Sequence, residues 1–244
     1  MKIINKFNEK SQNLGGAQPV TIAFLGDSVT QGCFDVYETS ENSLATVYEA
    51  EYAYHTDLRK IVNVLYPRVP VNIINAGISG GSAKQGDMRL ERDVLRFSPD
   101  LCVVCFGLND SCIDPNDMEA QGVYISSLKS IFEKLQANGV EVIYMTPNMM
   151  CTEVSCHIKS DYIRGFAQKS VGVETSGRLE AFLTAGKELA ESMNIPVCDC
   201  YSKWKKLNEG GVNTTELLSN KINHPTKEMN WMFAYSLVET MFNN

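Results

Sequence analysis

The stretch Val20-Thr21-Ile22-Ala23-Phe24-Leu25-Gly26-Asp27-Ser28 passes from a continuous run of apolar and β-branched residues into a turn. A strand that is apolar on both faces is typical of a parallel sheet buried between helices. Gly26 and Asp27 favour turns, so Ser28 is expected just beyond the carboxyl end of this strand, where open α/β sheets bind ligands. A serine there has an accessible hydroxyl and free backbone N–H groups beside it, which are two requirements of a serine nucleophile. The alternative is that Ser28 only caps a following helix.

Four more apolar runs follow along the chain, and helical patterns separate them. Beyond residues 20–25, these runs predict strands over 71–75, 101–106, 140–145 and 196–200. Helical spacing of apolar residues predicts helices over 48–65, 84–97, 116–137, 175–193 and from Pro225 onward. Strands that alternate with helices predict an α/β fold, a three-layer α/β/α sandwich with a five-stranded parallel sheet of the flavodoxin-like type.

Three segments do not fit this alternation. Residues 1–19 are interpreted as a polar lead-in, which leaves 20–244 as a single domain. Residues 34–49 are acidic and rich in aromatic side chains, and we expect a long loop that is helical only near its end. Residues 148–173 are expected to be irregular, and a loop of that length in a compact domain is a candidate lid or substrate loop.

The composition bears on partners and location. The chain has 244 residues, of which 44% are hydrophobic, and a net charge of −7. Nucleic-acid phosphates require clustered Lys and Arg, so the acidic balance argues against a nucleic-acid partner. Residues 1–18 lack an apolar core of signal-peptide length, and no apolar run reaches the roughly 18 residues of a membrane span. We therefore expect a soluble, cytoplasmic protein with no membrane partner, and the sequence does not indicate an oligomeric state.

The eight cysteines are consistent with a reducing compartment. Cys102 and Cys105 lie three residues apart in one predicted strand, so their side chains point to opposite faces. Cys198 and Cys200 share a face, but they lack the Cys-x-x-Cys spacing of metal sites. We interpret these thiols as small buried hydrophobes and expect neither a bound metal nor a cofactor.

Three further loops carry side chains suited to catalysis. Asn75-Ala76-Gly77-Ile78-Ser79-Gly80 follows the second strand, Gly107-Leu108-Asn109-Asp110 follows the third, and Asn223-His224-Pro225 precedes the last helix. The carboxyl ends of parallel strands meet at one edge of the sheet, so the loops that follow the first three strands should lie together. This clustering favours a functional role for Ser28 over a cap. His224 is the best candidate for a general base, since His55 falls on a predicted helix and His157 lies in the long irregular segment.

These four blocks, spread over residues 20–240, resemble the SGNH hydrolase family, also called GDSL esterases and lipases. The resemblance implies that Ser28 is the nucleophile and that His224 is the general base. It also implies an oxyanion hole formed by the Ser28 N–H, the Gly80 N–H and the Asn109 side-chain amide. Each block alone is a weak signal, but four in order, each at its expected strand end, strongly indicate the family's fold.

One position departs from the family pattern. Three residues before the histidine the family has an Asp that orients the imidazole, and Lys221 stands there instead. A lysine cannot accept the Nδ1 proton, and its charge disfavours an imidazolium nearby. A backbone carbonyl near Lys221, or the side chain of Asn220 or Asn223, could orient His224 in a Ser–His dyad, which is the alternative we favour. Otherwise a carboxylate from elsewhere reaches the ring, or the enzyme is weak or inactive; the nearest such carboxylates are those of Asp199 and Glu228.

The predicted function is therefore a serine esterase that acts on short-chain carboxylic esters, with O-acetyl groups on carbohydrate as one candidate substrate. The rival hypothesis, prompted by Lys221, is a weak or inactive member of the fold that binds a carbohydrate or another small ligand. A flavodoxin-like cofactor binder is disfavoured because Asp27, in the loop after the first strand, would repel a phosphate.

Overall fold

The computed structural model describes residues 1–40, 43–113, 117 and 119–244. Its strands are β1 (Val20–Gly26), β2 (Cys33–Ser40), β3 (Ser43–Tyr48), β4 (Val71–Gly77), β5 (Leu101–Cys105), β6 (Glu141–Thr146) and β7 (Val197–Asp199). Five of them form a parallel sheet in the order β4-β1-β5-β6-β7, with Val20 opposite Val71 and Ile22 opposite Leu101. The predicted five-stranded parallel sheet is confirmed.

Helices cover both faces of this sheet, as the α/β/α prediction requires. They are α1 (Lys2–Gln12), α2 (Ser28–Gln31), α3 (Tyr54–Leu65), α4 (Ala83–Asp93), α5 (Leu108–Ser111), α6 (Ala120–Ala137), α7 (Asp161–Thr175), α8 (Arg178–Ser192), α9 (Cys200–Glu209) and α10 (Lys227–Asn243). Alternate side chains of β1 enter two different cores: Phe24 packs with α3 and α10, and Leu25 packs with α4 and α6. Cys105 and Cys102 likewise lie in opposite cores, as their spacing predicts.

The N-terminal segment corrects the predicted polar lead-in over 1–19. Its first part is helix α1, which buries Ile3 and Phe7 against the sheet, and the Phe7 ring stacks on Tyr66 with 4.9 Å between centroids. Glu141 caps the helix by accepting hydrogen bonds from the backbone N–H groups of residues 2 and 3 at 2.8 and 2.9 Å. Two apolar side chains four apart are enough to dock a short helix, although they give a weak signal in a polar sequence.

Two other segments differ from their predicted structure. Most of 34–49, predicted as a loop, is an antiparallel hairpin of β2 and β3, in which Val36 lies opposite Thr46. The range 148–173, predicted to be irregular, contains most of α7, which begins after the N-cap Ser160. The last helix begins at Lys227 with Thr226 as its N-cap, two residues after the predicted start at Pro225. In the part of the chain that the structure describes, no helix is long and apolar enough to span a bilayer.

The docking of α1 can be tested by truncating its buried aromatic side chain. Phe7→Ala should lower the free energy of unfolding by about 3–5 kcal/mol, since it removes a fully buried ring. Asn8→Ala, on the exposed side of the same helix, is the control and should change it by less than about 0.5 kcal/mol. Urea unfolding followed by circular dichroism measures both, and equal stabilities of the two variants would mean that α1 is not part of the folded unit.

Candidate active site

Ser28 lies at the turn between β1 and the short helix α2. Asp27 is the N-cap of α2, and its Oδ1 accepts a hydrogen bond from the Val29 N–H at 3.0 Å. Ser28 is therefore not the cap, which removes the alternative considered for it. Gly26 is required here, because a Cβ at this position would lie 2.8 Å from the Cys105 carbonyl oxygen on the neighbouring strand. The tight turn leaves the Ser28 side chain at the carboxyl edge of the sheet, lining an open cleft.

His224 meets Ser28 across 196 residues of sequence, with its Nε2 atom 2.9 Å from the Ser28 Oγ. The preceding loop holds the histidine in place. Asn220 Oδ1 accepts hydrogen bonds from three successive backbone N–H groups, those of residues 222, 223 and 224, each at 3.0 Å. Asn148 Nδ2 donates to the Asn223 carbonyl at 2.8 Å. These contacts fix the backbone that carries the imidazole, so the ring is positioned before any substrate arrives.

The other ring nitrogen of His224 lacks the usual acceptor. Nδ1 is buried and has no hydrogen-bond partner among the residues that the structure describes. Burial lowers the pKa of His224 from 6.5 to about 4, and the backbone of Phe34 in β2 opposes this shift to a smaller extent. The imidazole is therefore neutral at pH 7 and able to accept a proton, but little around it stabilises the imidazolium that results.

None of the residues predicted to orient His224 has its side chain on Nδ1. Lys221 turns away, and its ammonium group bonds the Glu216 carbonyl at 2.9 Å and the Glu216 carboxylate at 3.0 Å. Asp199 is engaged by Thr146, Lys187 and Ser202. Asn220 and Asn223 bond each other. Glu228 lies in the first turn of α10, where its own backbone N–H and the Thr226 side chain lower the pKa of its carboxyl group. The backbone that acts on the ring is that of Phe34, in the hairpin, rather than one near Lys221.

The two loops expected to supply the oxyanion hole reach the same cleft as Ser28. Gly80 has a φ of +73°, a left-handed conformation that favours glycine, and a Cβ there would meet no atom within 4 Å. Asn109 Nδ2 donates to the Gly81 carbonyl at 3.0 Å and lies 3.5 Å from Asp27 Oδ2. The longer contact is at the weak limit for a hydrogen bond, so that amide hydrogen is available to a substrate oxygen.

Two buried carboxyl groups beside these loops were not singled out from the sequence. Burial raises the pKa of Asp27 to about 7 and that of Asp110 to about 6. Asp110 Oδ1 accepts from the Ala83 N–H at 2.9 Å, and its Oδ2 is buried without a partner in the described ranges. An ionised carboxylate here would repel a developing oxyanion, so a raised pKa at Asp27 lessens that repulsion near neutral pH. The Asp27 and Asp110 positions follow the predicted turns, but only the structure shows their burial.

The walls of the cleft come from the hairpin of β2 and β3 and from α7, the two segments predicted to be irregular. The cleft encloses about 370 Å³, with Ser28, Gly80, Asn109 and His224 at its base. The hairpin and α7 form its sides through Val36, Leu44, Thr46, Ile163, Phe166, Lys169 and Ser170. A larger cavity of about 650 Å³ lies near the amino ends of β5 and β6, and none of the site residues lines it. Over the described ranges, no three His, Cys, Asp or Glu side chains gather in a way that could hold a metal ion.

Comparison with known proteins agrees with this architecture. An acetylxylan esterase from Geobacillus stearothermophilus is 29% identical over 132 residues, which is 52% of this chain and 58% of that protein. This chain thus spans little more than half the length of that relative. The structure of a catalytic mutant of an acetylxylan esterase from the same organism superposes with a TM-score of 0.67 at 20% identity, over 91% of this chain and 94% of the other.

A lipase/acylhydrolase from Enterococcus faecalis superposes with a TM-score of 0.66 at 22% identity, over 92% of this chain and 96% of that one. At such identities the superpositions establish the shared fold. The sequence itself matches the model of the GDSL-like lipase/acylhydrolase family over residues 24–232. Because that match includes most of the chain and all four site blocks, this protein belongs to the GDSL-like lipase/acylhydrolase family.

Proposed function

We propose that this protein is a serine esterase that hydrolyses short-chain carboxylic esters, with O-acetyl groups on carbohydrate as its natural substrate class. The observation that carries the proposal is the 2.9 Å contact between His224 Nε2 and Ser28 Oγ at the base of an open cleft. Family membership and the similarity to an acetylxylan esterase support ester hydrolysis and an acetylated carbohydrate as substrate.

The proposed reaction follows from the positions of these groups. Ser28 Oγ attacks the ester carbonyl carbon while His224 Nε2 removes its proton. The carbonyl oxygen becomes negative and is stabilised by the Ser28 N–H, the Gly80 N–H and the Asn109 amide, each typically worth about 2.7–4 kcal/mol of barrier. His224 then gives the proton to the leaving alcohol, which leaves an acyl-enzyme. Water, deprotonated by His224, attacks the acyl carbon and releases the acid and free Ser28.

The enzyme is proposed to work as a Ser–His dyad. Among the residues that the structure describes, no carboxylate bonds Nδ1, so the orientation of His224 depends on the backbone of 220–224, which Asn220 holds, and on the Phe34 backbone. A base with a pKa of about 4 is weaker than an ordinary imidazole, which lowers the driving force for proton removal from serine. We therefore expect a slower enzyme than one with a complete triad.

One observation favours a second candidate function. The buried, unpartnered Nδ1 and the low pKa of His224 would also suit a protein that binds a carbohydrate or another small ligand without hydrolysing it. The cleft would serve either role, so catalysis has to be tested directly.

Removing the nucleophile separates the two candidates. Wild-type protein should hydrolyse p-nitrophenyl acetate, and Ser28→Ala should lose at least about a thousandfold in kcat/KM because no acyl-enzyme can form. The rate should fall sharply beyond a butyryl group, measured with acetate, butyrate and octanoate esters. Equal rates for wild type and Ser28→Ala would remove the esterase proposal, and a preference for octanoate would remove its short-chain part.

The pH dependence follows from the environment of His224. The base must be neutral, and its pKa is about 4 rather than 6.5, so kcat/KM should not fall as pH drops from 7 to about 5. Any change in that range should be a rise, because Asp27, with a pKa of about 7, loses its charge there. The free energy of unfolding should fall as pH drops below 6.5, because the unfolded histidine then binds a proton and the buried one does not until about pH 4. Activity should therefore be reassayed at pH 7 after each acid incubation. An acid limb centred near 6.5 would contradict the structure and indicate a carboxylate on Nδ1.

The role of the loop before His224 can be tested with two adjacent substitutions. Asn220→Ala removes the acceptor of three backbone N–H groups and should lower kcat about tenfold or more while changing KM less. With p-nitrophenyl acetate as the substrate, Lys221→Ala is the control, because its ammonium group pairs with Glu216 away from the ring, and it should stay within about twofold of wild type. A large loss in Lys221→Ala with none in Asn220→Ala would reverse this assignment. Asn220→Asp, which keeps the acceptor oxygen, should recover part of the loss.

A further inference from the structure

We propose that a second cleft, next to the active-site cleft, is a subsite for a sugar unit of the alcohol part of the ester. It is lined by residues 35–38 of β2, 157–160, Ile163 and 219–221, and it encloses about 370 Å³. The preferred substrate would then be an acetyl group carried on an oligosaccharide rather than on a simple alcohol. This inference rests on the proposed esterase function and adds a binding site to it.

The two clefts adjoin each other. Val36, Ile163 and Asn220 line both of them, so the second cleft lies immediately beside the one that holds Ser28. An acyl group and an alcohol extend in different directions from an ester carbonyl. A second cleft that opens beside the first gives the larger of the two groups a place to lie.

The walls of the second cleft are held in place. The Ser160 hydroxyl donates to the Glu38 carboxylate, which ties the hairpin to the start of α7, and the same Ser160 oxygen accepts from the Ile163 N–H at 3.2 Å. Lys159 Nζ donates to the Cys156 carbonyl at 2.9 Å, and Lys221 is paired with Glu216. A subsite whose polar groups are already fixed costs less entropy to occupy.

The lining matches a neutral ligand with many hydroxyl groups. Two acidic residues, Asp35 and Glu38, and two basic residues, Lys159 and Lys221, line the cleft, so it has no excess of either charge for a polyanion or a polycation. Carboxylates accept hydrogen bonds and ammonium groups donate them, which is what sugar hydroxyls require. Tyr37 adds a ring that is 53% exposed, a rigid surface on which the apolar face of a pyranose can stack. A long acyl chain would desolvate these charged groups without offering them hydrogen bonds, which disfavours it here.

The test compares substrates of different length. Acetylated xylo-oligosaccharides of one to four units and p-nitrophenyl acetate are the probes, and the readout is the ratio of kcat/KM for the tetramer to that for p-nitrophenyl acetate. In wild type, kcat/KM should rise about tenfold between one and three units, which corresponds to about 1.4 kcal/mol. Tyr37→Ala and His157→Ala should each lower the ratio severalfold. Tyr235→Ala is the matched control, since this tyrosine is 67% exposed on α10, and it should leave the ratio unchanged.

Failure of the subsite and failure of the esterase proposal give different results. Hydrolysis of p-nitrophenyl acetate with no dependence on oligosaccharide length, or an unchanged ratio in Tyr37→Ala, would overturn the subsite alone. Loss of all hydrolysis would overturn the esterase, and calorimetry of Ser28→Ala with unacetylated xylotetraose then tests the subsite independently. Binding that the added Tyr37→Ala change abolishes supports the subsite, and absence of binding to Ser28→Ala overturns it.

Discussion

The hydrogen bond between His224 Nε2 and Ser28 Oγ requires that the imidazole be buried. Its other nitrogen, Nδ1, has no hydrogen-bond partner among the described residues. Burial keeps the ring neutral and places it correctly, but it also makes the ring reluctant to take a proton. A carboxylate on Nδ1 would relieve that conflict, and Lys221 stands where the family has one. The loop held by Asn220 fixes the position of the imidazole, but it places no negative charge beside the ring.

The same balance between burial and charge operates in the loops around Ser28. Asp27 and Asp110 are buried close to the oxyanion loops, where two full negative charges would oppose catalysis. Both hold the turns by accepting hydrogen bonds from backbone N–H groups, and the raised pKa of Asp27, about 7, lets that group carry only part of a charge near neutral pH. Arg89 joins the ends of β1 and β4 by donating hydrogen bonds to the carbonyl oxygens of Ala76 and Gly26 at 2.6 and 2.8 Å. The turn that carries Ser28 is therefore held by buried polar side chains that bond backbone groups.

The sequence was a good guide wherever periodicity and strand ends determine structure. The five-stranded sheet follows from apolar runs, and because the carboxyl ends of parallel strands share an edge, the sequence places Ser28, Gly80 and Asn109 together. The hairpin could not be anticipated, because exposed strands such as 35–40 alternate weakly and Glu and Asp are poor strand formers. The effect of the Phe34 backbone on His224 could not be predicted for a further reason, since every residue carries the same backbone groups whatever its side chain. Helix α1 was missed because its signal is three apolar residues, Ile3, Ile4 and Phe7, among polar ones.

The hairpin ties together properties that many enzymes keep separate. β2 supplies the Phe34 backbone to the His224 ring, Val36 to both clefts and Tyr37 to the second one. A one-residue register slip in a strand exchanges its two faces. An insertion or deletion here would therefore alter turnover and selectivity at once, whereas an exchange of an outward side chain would alter selectivity alone. Divergence among relatives of this chain should accordingly proceed in this region by replacement of residues, with hairpin length preserved.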